Sequence, residues 1–526
     1  MDHVELIVAG MLVAVAVLGA LARRVGVPYP IVLVLGGLVL GFVPGLPDLE
    51  LEPELVLGIF LPPLLYAAAF FANLRDMRRD VRSISLSAIG LVLVTAVVVA
   101  VVAHDLFGVP WAAAFTLGAV VSPTDPLAAT AIARRLGAPR RMVTVIEGES
   151  LINDATALVI YRVAVAAAVG GSFSLAEAGA RFVLTAAGGV AIGVAAGWLI
   201  GQLRRRIDDP TLETTVSLLS GYVAYLPAEE LGLSGVLAAV TCGIYLGWRA
   251  PDVASAESRI VAFSVWEVLV FLLNAVLFVL IGLQLEPLLR EVSGDDVLEL
   301  IGEGLLVAVV VVGVRLVWSH TMPYVVRALD RRPSQRARRV GWRPRMVIAW
   351  AGLRGAVSLA AALAIPLETD SGAPFADRDL IVLATFMVIL VTLVGQGLTL
   401  PWLIRRLGVR GDGVETEEEL VGRRAAADAA LLELDTLAAE QWTREDTVRR
   451  MRALYEYRRR RFAARAGDVD DDGIEDRSAA YQRMVHQVIG AQRSELLRLR
   501  NEGAIANEVM HRLERELDLE ESRLEL

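Results

Sequence analysis

The sequence predicts an all-α polytopic membrane protein, with about 13 transmembrane helices followed by a helical cytoplasmic tail. Hydrophobic residues make up 55% of the 526-residue chain and the mean hydropathy is +0.55, too apolar for an ordinary soluble protein. The charged 21% falls in short clusters between long apolar stretches. The connections alternate between arginine-rich and arginine-poor, as the loops of a multi-span protein do.

A helix needs roughly 20 apolar residues to cross a hydrocarbon core of about 30 Å. That window places spans over 4–22, 27–44, 54–74, 83–104, 111–133, 143–169, 181–203, 212–227, 232–248, 260–285, 297–322, 345–366 and 379–404. The arginine-rich connections hold Arg23-Arg24, then Arg75, Arg78, Arg79 and Arg82, then Arg134, Arg135, Arg140 and Arg141, then Arg204 to Arg206. Arg249 and Arg259, the Arg327–Arg345 cluster and Arg405-Arg406 complete the set. The intervening connections carry acids, as in Asp48–Glu54, Glu229-Glu230 and Asp295-Asp296. Positive charge stays inside, so the N-terminus is expected outside and the C-terminus in the cytoplasm of a multi-pass cell-membrane protein.

Several functions are excluded early. Every basic residue is arginine, which removes lysine-dependent chemistry, and a net charge of -9 argues against a nucleic-acid partner. Cys242 is the single cysteine, so no intramolecular disulfide forms and redox chemistry is not expected. Asp2 and Glu5 stand where a cleaved leader would be basic, so none is expected. No nucleophile–base pair or phosphate-binding glycine loop stands out, so the chain is not expected to be an enzyme or to carry a cofactor.

Beyond Leu407 the composition changes, dividing the chain into a transmembrane domain over 1–407 and a tail over 408–526. Helical periodicity marks 417–440, 443–466 and 478–523 in the tail. Asp468-Val-Asp-Asp-Asp-Gly473 imitates the start of a calcium loop, but Ala479 occupies the twelfth position where a glutamate is required. The stretch reads as a solvated acidic linker.

Charges inside the spans carry the chemistry, because an ionisable group at the bilayer centre costs several kcal/mol. Asp125 lies near the middle of the 111–133 span, between Pro123 and Pro126. Each proline removes a backbone donor and crowds the preceding turn, so the helix should break around Thr124 and Asp125. A break frees carbonyls and helix ends to face an ion, and such backbone is tolerated at depth only where it lines a cavity. A simple kink is the competing reading, and the aspartate inside it favours a site.

The next span holds Glu147, Glu149, Ser150, Asn153 and Asp154. Ser150, Asn153 and Asp154 can share one helical face, and Glu149 and Asn153 are likewise four apart. Carboxylate, amide and hydroxyl oxygens suit a small alkali cation, and no histidine or cysteine accompanies them to favour zinc or copper. A structural polar network between helices is the competing reading. Arg315 and Arg354 also fall within spans, and each needs a carboxylate or a helix end. Glu149 is the best partner for one or both, and the sequence does not choose. Arg162 receives no role.

At this point a resemblance becomes visible. SPTDP at 122–126, GESLINDATALV at 148–159, FLPPLLYAAAF at 60–70 and AGLRGAVSLAAALAIP at 351–366 resemble motifs of the bacterial sodium/proton antiporters. These belong to the monovalent cation:proton antiporter superfamily, on the Asn-Asp branch related to animal sodium/proton exchangers. The resemblance covers the whole membrane part. It implies that Asp154 carries both ion and proton, with Asn153 its supporting neighbour. Asp125, the Thr124 backbone and Ser150 would be further ligands of Na+, and Glu149 would pair with Arg315 or Arg354. It also implies a homodimer, each protomer having a dimerisation half and a mobile core half, and electroneutral exchange of Na+, with Li+ or K+ as alternative cations. Many members of the family carry an acid shortly after LPP, where this chain has Tyr66-Ala67-Ala68-Ala69, so a ligand or gate element supplied there is missing here. If spans 1–6 repeat as 8–13, the odd offset makes the two repeats inverted, pairing the 111–133 span with 345–366 and its Gly352–Gly355 segment. A cation channel or a transport-derived sensor is the reading from another class.

Overall fold

The computed structural model describes residues 2–44, 54, 56–170, 175–253, 255–291, 296–330, 339–411 and 413–522. Asp48 to Pro53, Asp295, and Arg331, Arg332, Arg336 and Arg338 of the predicted clusters lie outside them. The chain divides into two compact units, Met1–Gly411 and Asp412–Leu526.

The first unit is helical throughout its regular structure. Its helices are α1 (Asp2–Val25), α2 (Tyr29–Gly41), α3 (Val56–Phe70), α4 (Leu74–Phe107), α5 (Trp111–Val121), α6 (Leu127–Arg135), α7 (Arg140–Gly170) and α8 (Leu175–Arg204). They continue with α9 (Pro210–Glu230), α10 (Gly235–Val253), α11 (Ala256–Leu283), α12 (Leu285–Glu291), α13 (Asp296–Leu329), α14 (Trp342–Trp350), α15 (Ala356–Leu363) and α16 (Arg378–Leu407). Among the described residues, six helical stretches are long and apolar enough to cross a membrane, within α4, α7, α8, α11–α12, α13 and α16. Shorter apolar helices include α2, α3, α5 and Gly235–Ala250 of α10.

Two predicted spans are broken. Ser122–Pro126 separates α5 from α6, and Ala351–Gly355 separates α14 from α15. Proline explains the first break, and the Gly352 and Gly355 positions flank the second. The arginine-rich connection around Arg75–Arg82 is not a loop. It forms the first turns of α4, where Asn73 Oδ1 accepts from the Asp76 N–H at 3.2 Å and Asp80 and Ile84 turn inward. Its alternation of charge with Met77 and Ile84 was a helical signal that the hydropathy window discards.

The helices sort into two groups. α1, α2, α3, α8, α9, α10 and α11 pack mainly with one another, as do α4–α7 and α13–α16. Gly37 of α2 and Gly282 of α11 face the partner helix's backbone so closely that a Cβ on either would strike a carbonyl oxygen, which lets these two helices touch. Tyr66 is fully buried against Phe70 and Trp266, with ring centroids 5.6 and 5.5 Å away. The arginine-rich connections meet one another: Arg82 pairs with Asp330, Arg140 Nε lies 3.0 Å from Asp76 Oδ2, and Arg135 Nη1 donates to the Gly26 carbonyl at 2.9 Å.

The second unit contains α17 (Val414–Leu437), α18 (Glu445–Arg465), α19 (Ile474–Asn501) and α20 (Asn507–Ser522). The sequence predicts one helix over 478–523, whereas two are present. Gly503 adopts φ 76° and ends α19 in a left-handed cap. The acidic linker is engaged in capping and ion pairs: Asp471 Oδ1 accepts from the Ile474 N–H at 2.8 Å, and Asp472 binds Arg460 and Arg477 at 2.6 and 3.1 Å. Hydrogen bonding from Arg465 and Arg461 holds the Glu475 carboxyl down at about 2, against an ordinary 4.5. A depressed carboxyl stabilises the fold above 4.5 and loses that contribution as pH falls toward 2. Circular dichroism of the intact protein should therefore show Glu475→Gln to lose helix on heating at pH 7, and the difference from wild type should vanish near pH 2.

Candidate functional site

The two breaks meet. The Asp125 N–H donates to the Leu353 carbonyl at 2.8 Å, and Arg354 Nε donates to the Val121 carbonyl at 3.2 Å. Each broken helix thus satisfies freed backbone of the other, as buried irregular backbone must. Asp125 is turned back on its own chain: its Oδ1 accepts from the Leu127 N–H at 2.9 Å, at the start of α6.

The α7 helix crosses this junction. Asn153 Nδ2 donates to Thr124 Oγ1 at 2.8 Å, and Thr124 Oγ1 lies 3.3 Å from Ser150 Oγ. Thr124, Ser150 and Asn153 are all buried, and Asn153 Oδ1 has no hydrogen-bond partner. Asp154, next to Asn153 on the same helix, is partly buried. No described hydrogen bond or ion pair reaches its carboxylate. Thr124, Ser150 and Asn153 therefore form one buried polar cluster, with Asp125 and Asp154 following Thr124 and Asn153 in the chain.

Glu149 points elsewhere. Arg315 Nη1 of α13 donates to Glu149 Oε1, and Arg315 Nη2 to the Ile348 carbonyl at 3.3 Å. Both partners of this ion pair are 3% exposed, so each neutralises a charge that the other could not leave buried alone. Arg354 makes no described ion pair. It uses the Val121 and Gly352 carbonyls instead, while its own N–H donates to Thr392 Oγ1 at 3.1 Å. The expectation that either arginine would serve Glu149 thus resolves to Arg315, because the broken helix ends offer Arg354 enough acceptors. Glu147 lies toward the N-terminal end of α7, 2.6 Å from Arg134. Arg162, left without a role, pairs with Glu229 at 2.6 Å.

The transmembrane sodium/hydrogen exchanger family matches residues 11–406 of this chain. The chain belongs to the sodium/hydrogen exchanger family. An exchanger of Mycobacterium tuberculosis, itself described as uncharacterized, is 39% identical over 99% of this chain and 96% of its own length. A Na(+)/H(+) antiporter of Aphanothece halophytica is 33% identical over 78% of this chain and 76% of its own. The solved sodium proton antiporter of Methanocaldococcus jannaschii shares the fold, with TM-score 0.61 and 20% identity over 77% of this chain and 99% of that one.

Several parts of this junction carry no signal in the sequence. Leu353 and Val121 contribute only carbonyls, and Thr392 arrives from α16, some 40 residues beyond the break it supports. Gly355 was legible only as a helix breaker. In the fold, a Cβ at this position would overlap the Asp125 carboxylate. Gly355→Ala should push the Asp125 carboxylate aside and weaken the apparent sodium affinity of exchange about tenfold, the loss of one charged contact. Sodium titration of proton exchange in vesicles measures it, and an unchanged midpoint would mean that Asp125 needs no such clearance.

Proposed function

We propose that this exchanger moves Na+ against H+ by alternating access, with the cation and the proton competing for Asp154. One observation carries the reading: two broken helices meet at Asp125, where Thr124, Ser150 and Asn153 converge and Asp154 follows Asn153 on α7. A cation held by these oxygens keeps Asp154 ionised, whereas a proton neutralises it and removes the principal ligand. Movement of α4–α7 and α13–α16 against the other group, permitted only when Asp154 is neutralised by one or the other, couples the two fluxes without further parts. An Asn-Asp pair with one such carboxylate favours an electroneutral one-for-one exchange.

Three supports set the frame. The breaks lie seven predicted spans apart within one packing group, as inverted repeats of a 13-span protein would place them. The meeting of the arginine-rich connections favours a single cytoplasmic end, with the N-terminus outside and the tail inside. The packing group formed by α1–α3 and α8–α11 is the natural homodimerisation half, leaving the site-bearing group free to move.

Asp125→Asn tests the ligand set. Apparent sodium affinity should fall by about tenfold or more, the loss expected for one charged ligand, while exchange at saturating sodium persists. An unchanged concentration dependence would remove Asp125 from the site. Potassium belongs in the same assay, because a Bacillus subtilis relative 34% identical over 76% of this chain is a sodium, potassium, lithium and rubidium/H(+) antiporter.

A further inference from the structure

Apart from the aspartate cluster, a pocket of about 450 Å³ opens between α1, α2, α6, α11 and α16. Three guanidinium groups border it: Arg23 from the last turn of α1, Arg135 from the last turn of α6 and Arg405 from the last turn of α16. They come from three separate connections of the chain and converge only in the fold. Among the described residues, Arg135 donates to the Gly26 carbonyl at 2.9 Å and Arg405 to the Pro401 carbonyl at 3.2 Å, and no carboxylate pairs with any of the three. The remaining wall is largely apolar, with Phe271 and Leu136 among its lining residues.

We infer that this pocket binds a phosphate group, carried by an anionic lipid headgroup or arriving as free phosphate. Guanidinium forks match phosphate oxygens in pairs, and three uncompensated ones around one cavity attract an anion strongly. The apolar wall has no use in holding a bare ion and suits the glycerol and first methylenes of a lipid, so it favours the lipid source. Tyr29 lines the pocket and stacks edge-on against Phe271 at 5.3 Å. A bound phosphate would tie α1 to α6, the helix whose first N–H holds Asp125.

The test uses the full chain in phosphatidylcholine nanodiscs, with thermal unfolding followed as short-chain phosphatidylglycerol, short-chain phosphatidylcholine or inorganic phosphate is titrated. Phosphatidylglycerol should raise the unfolding temperature saturably and phosphatidylcholine should not. A shift by inorganic phosphate at equal or lower concentration would assign the soluble source. Arg23→Gln, Arg135→Gln and Arg405→Gln should each weaken apparent binding about tenfold, the loss of one charge-assisted hydrogen bond. Arg205→Gln, exposed and outside the pocket, should bind as wild type does. The inference is overturned if neither phosphatidylglycerol nor phosphate gives a saturable shift, if the pocket variants bind normally, or if Arg205→Gln loses as much as they do. Arg23 makes no described hydrogen bond, so Arg23→Gln remains informative should the other two fail to fold. No sodium or proton gradient enters the measurement, so its failure is distinct from failure of the exchange reading.

Discussion

Asp154→Asn is expected to reduce sodium-driven proton movement in sealed vesicles to the background of protein-free membranes. The substitution preserves shape and removes only the charge that proton and cation are argued to share. Asparagine is neutral in every state, so the moving group would no longer wait for either ion, and coupling has nothing to act on. The protein should still insert and elute as a single folded species, because no described hydrogen bond or ion pair depends on the Asp154 carboxylate. Full activity in this variant would remove Asp154 from the mechanism. Conduction of sodium without proton movement by the wild type would point to a channel instead.

The second large effect concerns folding. Glu149→Gln leaves Arg315 charged, buried and without its carboxylate, between α7 and the break that follows α14. Removing one partner of a buried pair costs about 3–5 kcal/mol, whereas removing both costs far less. Thermal unfolding in detergent should therefore fall steeply for Glu149→Gln and for Arg315→Gln, and the double variant should recover much of the loss. Additive losses would mean that the two residues act separately. Arg354 behaves differently on this account: Arg354→Gln would orphan the Val121 and Gly352 carbonyls, and replacing Glu149 would not rescue it.

The sequence made much of the architecture legible, for definite reasons. Apolar length and arginine alternation located the helices, and Pro123 and Pro126 located a break whose aspartate lies within it. Helical spacing placed Ser150 and Asn153 on one face, and both reach the same Thr124 hydroxyl. Whatever depends on distance between elements stayed hidden. The choice of Arg315 over Arg354 for Glu149 follows from where two breaks cross, and spacing along the chain carries no trace of it. The buried Arg204–Glu213 pair, 2.7 Å apart, escaped because Arg204 reads as one of three loop arginines and Glu213 as the polar start of a span. Asp80 was lost similarly, since a connection assumed to be solvated gave no reason to expect a buried carboxylate bound to Arg141. Backbone contributions such as the Leu353 carbonyl have no residue-type signature at all.

The competition itself is open to one direct measurement. Purified protein in sealed vesicles, with sodium varied at several fixed pH values, yields a maximal rate and a half-saturating concentration at each. If hydrogen and sodium occupy one carboxyl in turn, acidification should raise the half-saturating sodium concentration by about tenfold per pH unit once the carboxyl is mostly protonated, with the maximal rate recovered at high sodium. A half-saturating concentration that stays constant while the maximal rate falls would show two independent sites, and the shared-aspartate account would be wrong.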